Sequence, residues 1–147
     1  MMVKAKTPVF LLVPLLAVLA AGHRCESQEV KQNWRKQFKQ ARYVVFSWEG
    51  SISRYQLSLL QDTLTGELVD NMINRRQEAH NALANLHGCP PEYGRALLLL
   101  KQISHLLGKQ ESLCTGKEYV MAHLEEWRSN KKAIKRLHQE LSKLLKL

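Results

Sequence analysis

Apolar residues recur every three or four positions through residues 30–59, the pattern of a helix with one face turned towards a core. Gly50 is the only helix breaker in this stretch, and an interior glycine costs about 1 kcal/mol relative to alanine. The pattern favours one helix over residues 29–63 and leaves a hairpin at Gly50 as the alternative. The apolar positions are Val30, Trp34, Phe38, Ala41, Val45, Trp48, Ile52, Tyr55 and Leu59.

Glycine and proline delimit two further predicted helices. The second begins near residues 65–67 and ends at Gly88, because glycine accepts a positive φ and the prolines that follow lack an amide hydrogen. The third begins at Pro91, a favourable first-turn residue, and ends at Gly108. Its leucines surround most of the helix, so we expect it to be the most buried.

A last helix is predicted from residues 115–117 to the C-terminus, with Ser129 and Asn130 as positions where it could loosen. Trp34, Trp48 and Trp127 are in phase with the aliphatic residues of their helices and are expected in the core. Strand-like alternation and internal repeats are absent from the sequence. We therefore predict an all-α, up-and-down bundle of four or five helices with one disulfide.

The N-terminus has the pattern of a secretory signal peptide, with Lys4 and Lys6 before an apolar run over residues 9–21 and then small residues. That run has 13 residues and includes Pro14, whereas a membrane-spanning helix needs about 18 to 20. We expect residues 1–22 to be cleaved and residues 23–147 to form a single secreted helical domain, without an integral membrane segment.

Three cysteines are candidates for the disulfide. Cys89 and Cys114 flank a helix about 24 Å long, whereas bonded Cα atoms lie within about 7 Å, so their pairing is disfavoured. If the first helix is continuous, the second helix runs back along it and brings Cys89 to the end of the bundle where Cys25 lies. If the chain instead forms a hairpin at Gly50, the direction of each later helix is reversed and Cys114 is brought to that end. Either pairing leaves one cysteine as a thiol or for an intermolecular bond. A mature chain beginning at Gln28 would lack Cys25 and both pairings.

Positive charge is concentrated at the two ends of the chain. The sequence has 22 Lys and Arg against 13 Asp and Glu; residues 29–42 carry a net +4, residues 128–147 a net +6 and residues 43–127 a net −3. Antiparallel first and last helices would join the two basic clusters at one pole, which would attract anionic partners. The candidate binding residues are Lys31, Arg35, Lys36, Lys39, Arg42, Arg128, Lys131, Lys132, Lys135, Arg136, Lys143 and Lys146.

The sequence favours a binding protein over an enzyme. Glu125 and Glu126 are adjacent and so point in different directions on a helix. The histidines form no H-E-x-x-H motif and the cysteines lack the close spacing of zinc sites, so we expect no catalytic residue, metal or cofactor. The expected partner is an extracellular protein, with a heparan-type glycosaminoglycan or an anionic surface as further options, and secretion argues against nucleic acid.

The signal peptide, the helices, the three cysteines and the basic ends together resemble the small salivary proteins of blood-feeding mosquitoes, of the anophensin and albicin type. The resemblance implies a non-enzymatic inhibitor of a host plasma cascade, complement or contact and coagulation activation, that blocks assembly of its complexes. The alternatives are a helical cytokine-like ligand that engages a receptor, and a carrier of an apolar small molecule.

Overall fold

A computed structural model describes residues 28–146, and this part of the chain contains helices and no β-strand. Cys25 and the predicted signal peptide, residues 1–22, lie outside the described residues. The helices are α1 (Gln28–Gln61), α2 (Gly66–Ala84), α3 (Gly94–Ser112), α4 (Lys117–Ala122) and α5 (Leu124–Leu145), with a 3₁₀ turn (Pro91–Tyr93) before α3.

The four long helices alternate in direction. Helix α2 packs back along α1, and the connection after it returns the chain to the beginning of α1, where the Tyr93 and Trp34 rings stack at 5.4 Å. Helix α3 then runs parallel to α1, and α5 packs mainly on α3 in the opposite direction. Short α4 lies at the far end, where Lys117 Nζ is 2.9 Å from Asp62 Oδ2. The up-and-down helical bundle is therefore confirmed, in its five-helix version.

Helix α1 runs through Gly50 without a break, so the predicted single helix is confirmed and the hairpin alternative is wrong. Its buried stripe includes three large aromatic side chains, Trp34, Phe38 and Trp48. Burial of such a side chain contributes about 1.5–3 kcal/mol, which outweighs the cost of about 1 kcal/mol for one interior glycine.

Two predicted helix ends differ from the structure. Helix α2 ends at Ala84, and Gly88 lies in the following connection with a φ of +66°. Helix α3 continues through Gly108 for another turn, because Gln110 and Leu113 beyond the glycine are buried against the other helices. Burial of the residues on both sides of Gly108 therefore overrides its low helix propensity.

The predicted last helix is divided, but at a different place from the one expected. His123, with φ −118° and ψ 27°, separates α4 from α5, whereas Ser129 and Asn130 lie inside α5. The break lets Val120 of α4 and Trp127 of α5 both face the interior.

The core contains all three tryptophans, as predicted, and each is at most 6% exposed. Helix α3 contributes a dense set of buried side chains, among them Leu99, Leu100, Ile103 and Leu107. Seven of its 19 residues are buried, a larger share than in the other described helices, so the expectation that α3 is the most buried helix is confirmed, although Leu98 is 47% exposed.

Two consecutive polar residues near the end of α3 join it to the three other long helices. Glu111 accepts a hydrogen bond from Trp48 Nε1 of α1 at 2.8 Å and forms an ion pair with Arg76 of α2. Gln110 is buried and donates to the carbonyl oxygen of Trp127 at 3.1 Å, while its own amide oxygen accepts from Asn130 at 3.0 Å. Both side chains are thus satisfied by partners on neighbouring helices.

The predicted disulfide is not found within residues 28–146, and the disfavoured bond between Cys89 and Cys114 does not form. The buried Cys114 thiol donates to the carbonyl oxygen of Gln110 at 3.5 Å, and Cys89 Sγ lies 3.4 Å from the carbonyl oxygen of Pro90. Burial, with a smaller contribution from Glu111, raises the pKa of Cys114 to about 12.

We expect Leu100→Ala to lower the free energy of unfolding by about 2–5 kcal/mol, because it leaves a cavity at a fully buried position. The matched control is Leu98→Ala, two residues earlier on the same helix, which should change stability by no more than about 0.5 kcal/mol. Urea denaturation of both variants makes the comparison. Equal losses of stability in the two variants would contradict the orientation of α3 in which Leu100 faces the core and Leu98 faces solvent.

Glu111→Ala should cost about 1–3 kcal/mol, since it leaves the indole of Trp48 and the guanidinium of Arg76 without their acceptor in a half-buried site. Glu78→Ala removes a carboxylate paired with Arg75 at the surface and should cost at most about 0.5 kcal/mol. Thermal or urea unfolding measures both. A loss for Glu111→Ala as small as that of the control would show that the junction does not stabilise the bundle.

Candidate functional site

A groove of about 1210 Å³ lies along α5, with Phe46 and Glu49 of α1 contributing to its lining. Six of the basic residues predicted to bind a partner line it, and all six are exposed; five belong to α5 and the sixth, Lys146, is the residue that follows its last turn. They are Arg128, Lys131, Lys132, Lys135, Lys143 and Lys146.

The helical period explains why these six cations share one side of α5. They follow each other at intervals that keep them on one side of the helix, whereas the buried residues Trp127, Ile134 and Leu141 repeat every seven residues on another face. The apolar stripe fixes the rotation of α5 on the bundle and so directs the basic side to the groove.

The N-terminal basic cluster meets α5 at one point. Arg42 donates a hydrogen bond from Nη2 to Ser142 Oγ at 2.8 Å, so this guanidinium lies at the edge of the groove. Lys31 and Arg35 instead lie beside the 3₁₀ turn. Lys31 Nζ is 2.9 Å from Glu92 Oε2, and its hydrogen bond lowers the pKa of the Glu92 carboxyl, while the Arg35 guanidinium lies 5.9 Å from the centre of the Tyr93 ring.

Three other predicted residues are exposed but do not line the groove: Lys36 and Lys39 on α1, and Arg136 on α5. Arg136 follows Lys135 directly and is therefore rotated about 100° from it around α5. The structure thus gathers half of the predicted cations into one groove, adds Arg42 at its edge, and distributes the others over neighbouring surfaces.

Sequence reasoning missed the aromatic and acidic groups within the groove. Phe46 is 62% exposed, and its ring meets that of His138 edge to face with centroids 5.6 Å apart. His138 Nε2 lies 2.7 Å from Glu49 Oε1, so the carboxylate orients the imidazole. The sequence did contain an indication of this surface. Tyr43 and Phe46 are aromatic but fall outside the three- and four-residue spacing of the apolar stripe of α1, which places them on its exposed side.

The groove can hold an anion and an apolar group at the same time. Its cations supply ammonium and guanidinium donors for carboxylate or sulfate oxygens, and the Phe46 and His138 rings, with the aliphatic stems of the lysines, supply apolar contact. No group of three or more His, Cys, Asp or Glu side chains placed to hold a metal ion occurs among residues 28–146.

Comparison of the chain with protein-family models, curated proteins and solved structures finds no match. Within residues 28–146, none of the helices is long and apolar enough to cross a membrane.

Proposed function

We propose that this protein is a secreted, non-enzymatic binding protein that captures an acidic extracellular partner in the groove along α5. The observation that carries the proposal is the row of six cations on one side of α5 and its C-terminal cap, facing an exposed aromatic residue of α1. The architectural resemblance to mosquito salivary proteins makes inhibition of complement or of contact and coagulation activation the preferred physiological role.

The spacing of the cations supports cooperative attraction of a polyanion. Side chains four residues apart on a helix are separated by about 6 Å along its axis, less than the screening length of about 8 Å at physiological ionic strength. The potentials of neighbouring cations therefore overlap, and Arg42 adds to them from α1. Such a field speeds the association of anionic partners and makes their binding dependent on salt.

The interior of the bundle gives less support to the carrier alternative. A small pocket beside Ile52, Leu107 and Trp127 has a volume of about 10 Å³, which is at most enough for one water molecule. Leu99, Leu100 and Leu107 of α3 fill the core. A cytokine-like ligand could use the same basic groove, so identification of the partner by a pull-down from plasma separates that alternative from a cascade inhibitor.

A disulfide between Cys25 and Cys89 completes the proposal for the secreted chain. Because α1 is a single helix, Cys89 lies near the end of the bundle where α1 begins, as the contact between Lys31 and Glu92 shows. The pairing of Cys25 with Cys114 required a hairpin at Gly50 and loses its premise.

Peptide mapping of the secreted protein without reduction should find the Cys25–Cys89 linkage, with an N-terminus between Ala21 and His23. Cys114 should remain a thiol that resists alkylation at pH 8, because its raised pKa keeps it protonated and the thiolate is the reactive form. Alkylation after denaturation provides the positive control. A Cys25–Cys114 linkage, or a mature chain beginning at Gln28, would contradict the assignment.

For the groove itself, we expect Lys132, Lys135 and Lys143 changed together to Glu to abolish retention on heparin and capture of the plasma partner. The matched control changes Arg54, Lys101 and Lys109 to Glu, which alters the net charge equally at exposed positions outside this groove. The control should keep most of its heparin retention.

Arg75, Arg76 and Arg95 are unsuitable controls, because each forms an ion pair that reversal would break. Circular dichroism and melting temperature must match the parent for both triple variants. Equal loss of binding in the two variants would mean that net charge alone is responsible and would refute a localised site.

A further inference from the structure

We propose that the groove recognises an acidic amphipathic helix, which lies along α5 and packs its apolar side on Phe46. This inference rests on the proposed function and specifies the chemistry of the partner. Three features of the groove carry it: an exposed aromatic ring among cations, an elongated row of charge, and carboxylates within the lining.

Phe46 is the first of these features. Its ring is 62% exposed and touches His138 at the groove, so the monomer does not use most of its apolar surface. A contiguous apolar patch rimmed by polar groups marks an interaction site, and the aliphatic stems of the groove's lysines extend the apolar surface of the Phe46 ring. A polyanion held by charge alone would leave this ring exposed to solvent, whereas an amphipathic partner can cover it with an apolar side chain.

The length of the charge row indicates the shape of the partner. Arg128 on α5 and Lys146 at its C-terminal cap are 18 residues apart, which corresponds to about 27 Å of helix. His138, which contacts Phe46, lies near the middle of that span, so cations flank the aromatic contact on both sides. A helix of about 18 residues has the same length, and its apolar positions at i, i+3, i+4 and i+7 can face one groove.

The mixed charge of the site favours a peptide over a membrane surface. The groove is open along α5, so a rod-shaped partner can lie in it lengthwise. Glu49 and Glu125 also line the groove. These carboxylates would repel a uniformly anionic surface, whereas a peptide helix that carries scattered donors can accommodate them.

The test compares two synthetic 18-residue peptides of identical composition: an acidic amphipathic helix and a scrambled sequence that lacks the apolar stripe. Fluorescence anisotropy at physiological salt should show the amphipathic peptide binding the full mature protein at least about ten-fold more tightly than the scramble. Phe46→Ala should remove most of that preference. Tyr43→Ala, an exposed aromatic residue one turn away that does not line the groove, is the matched control and should keep it.

The outcomes separate this inference from the proposed function. Equal binding of both peptides by a parent protein that is retained on heparin would overturn the helix partner and leave the basic groove in place. Failure of the parent to bind heparin and either peptide would overturn the proposed function as well. A further arm uses phosphatidylserine vesicles: if Phe46→Ala weakens vesicle binding but not the preference for the amphipathic peptide, the ring serves a membrane contact and the inference is wrong.

Discussion

The uninterrupted course of α1 determines the direction of every later helix. Its 34 residues correspond to about 51 Å, whereas the 19 residues of α2 can cover only about 28 Å of that length. The remaining part of α1 is covered by the 3₁₀ turn, where Tyr93 stacks on Trp34, and by α3. Because α1 does not turn back, α5 must descend towards its beginning, and the basic ends of the chain meet where Arg42 bonds Ser142.

Polar contacts fix how the helices are aligned along their axes, which apolar packing alone does not, because the hydrophobic effect is non-directional. Gln110 and Glu111 are consecutive, so they point in different directions from α3: one amide reaches α5, and one carboxylate reaches both α1 and α2. A shift of α3 by one turn would leave these half-buried groups unpaired, which costs more than the net gain of an average hydrogen bond. The junction therefore favours one vertical alignment of the four long helices over slipped alternatives.

Local periodicity explains which features could be predicted from the sequence. The apolar stripe of α1 and the burial of the tryptophans follow from intervals of three and four residues, which a single helix determines by itself. The continuation of α3 through Gly108 depends on burial of Gln110 and Leu113 by other helices, so local propensity gave the wrong end. The pair formed by Glu49 and His138 joins residues 89 positions apart and depends on the register of α1 against α5, which periodicity cannot supply.

The charge row on which the proposed acidic partner would bind also works against α5 in isolation. Like charges three or four residues apart on a helix are destabilising by about 0.2–0.5 kcal/mol per pair, and the basic side of α5 contains several such pairs. Trp127, Ile134 and Leu141 on the buried face offset this repulsion by anchoring the helix to the core. The proposed acidic partner would relieve the repulsion directly, and its binding would then be thermodynamically linked to the stability of α5.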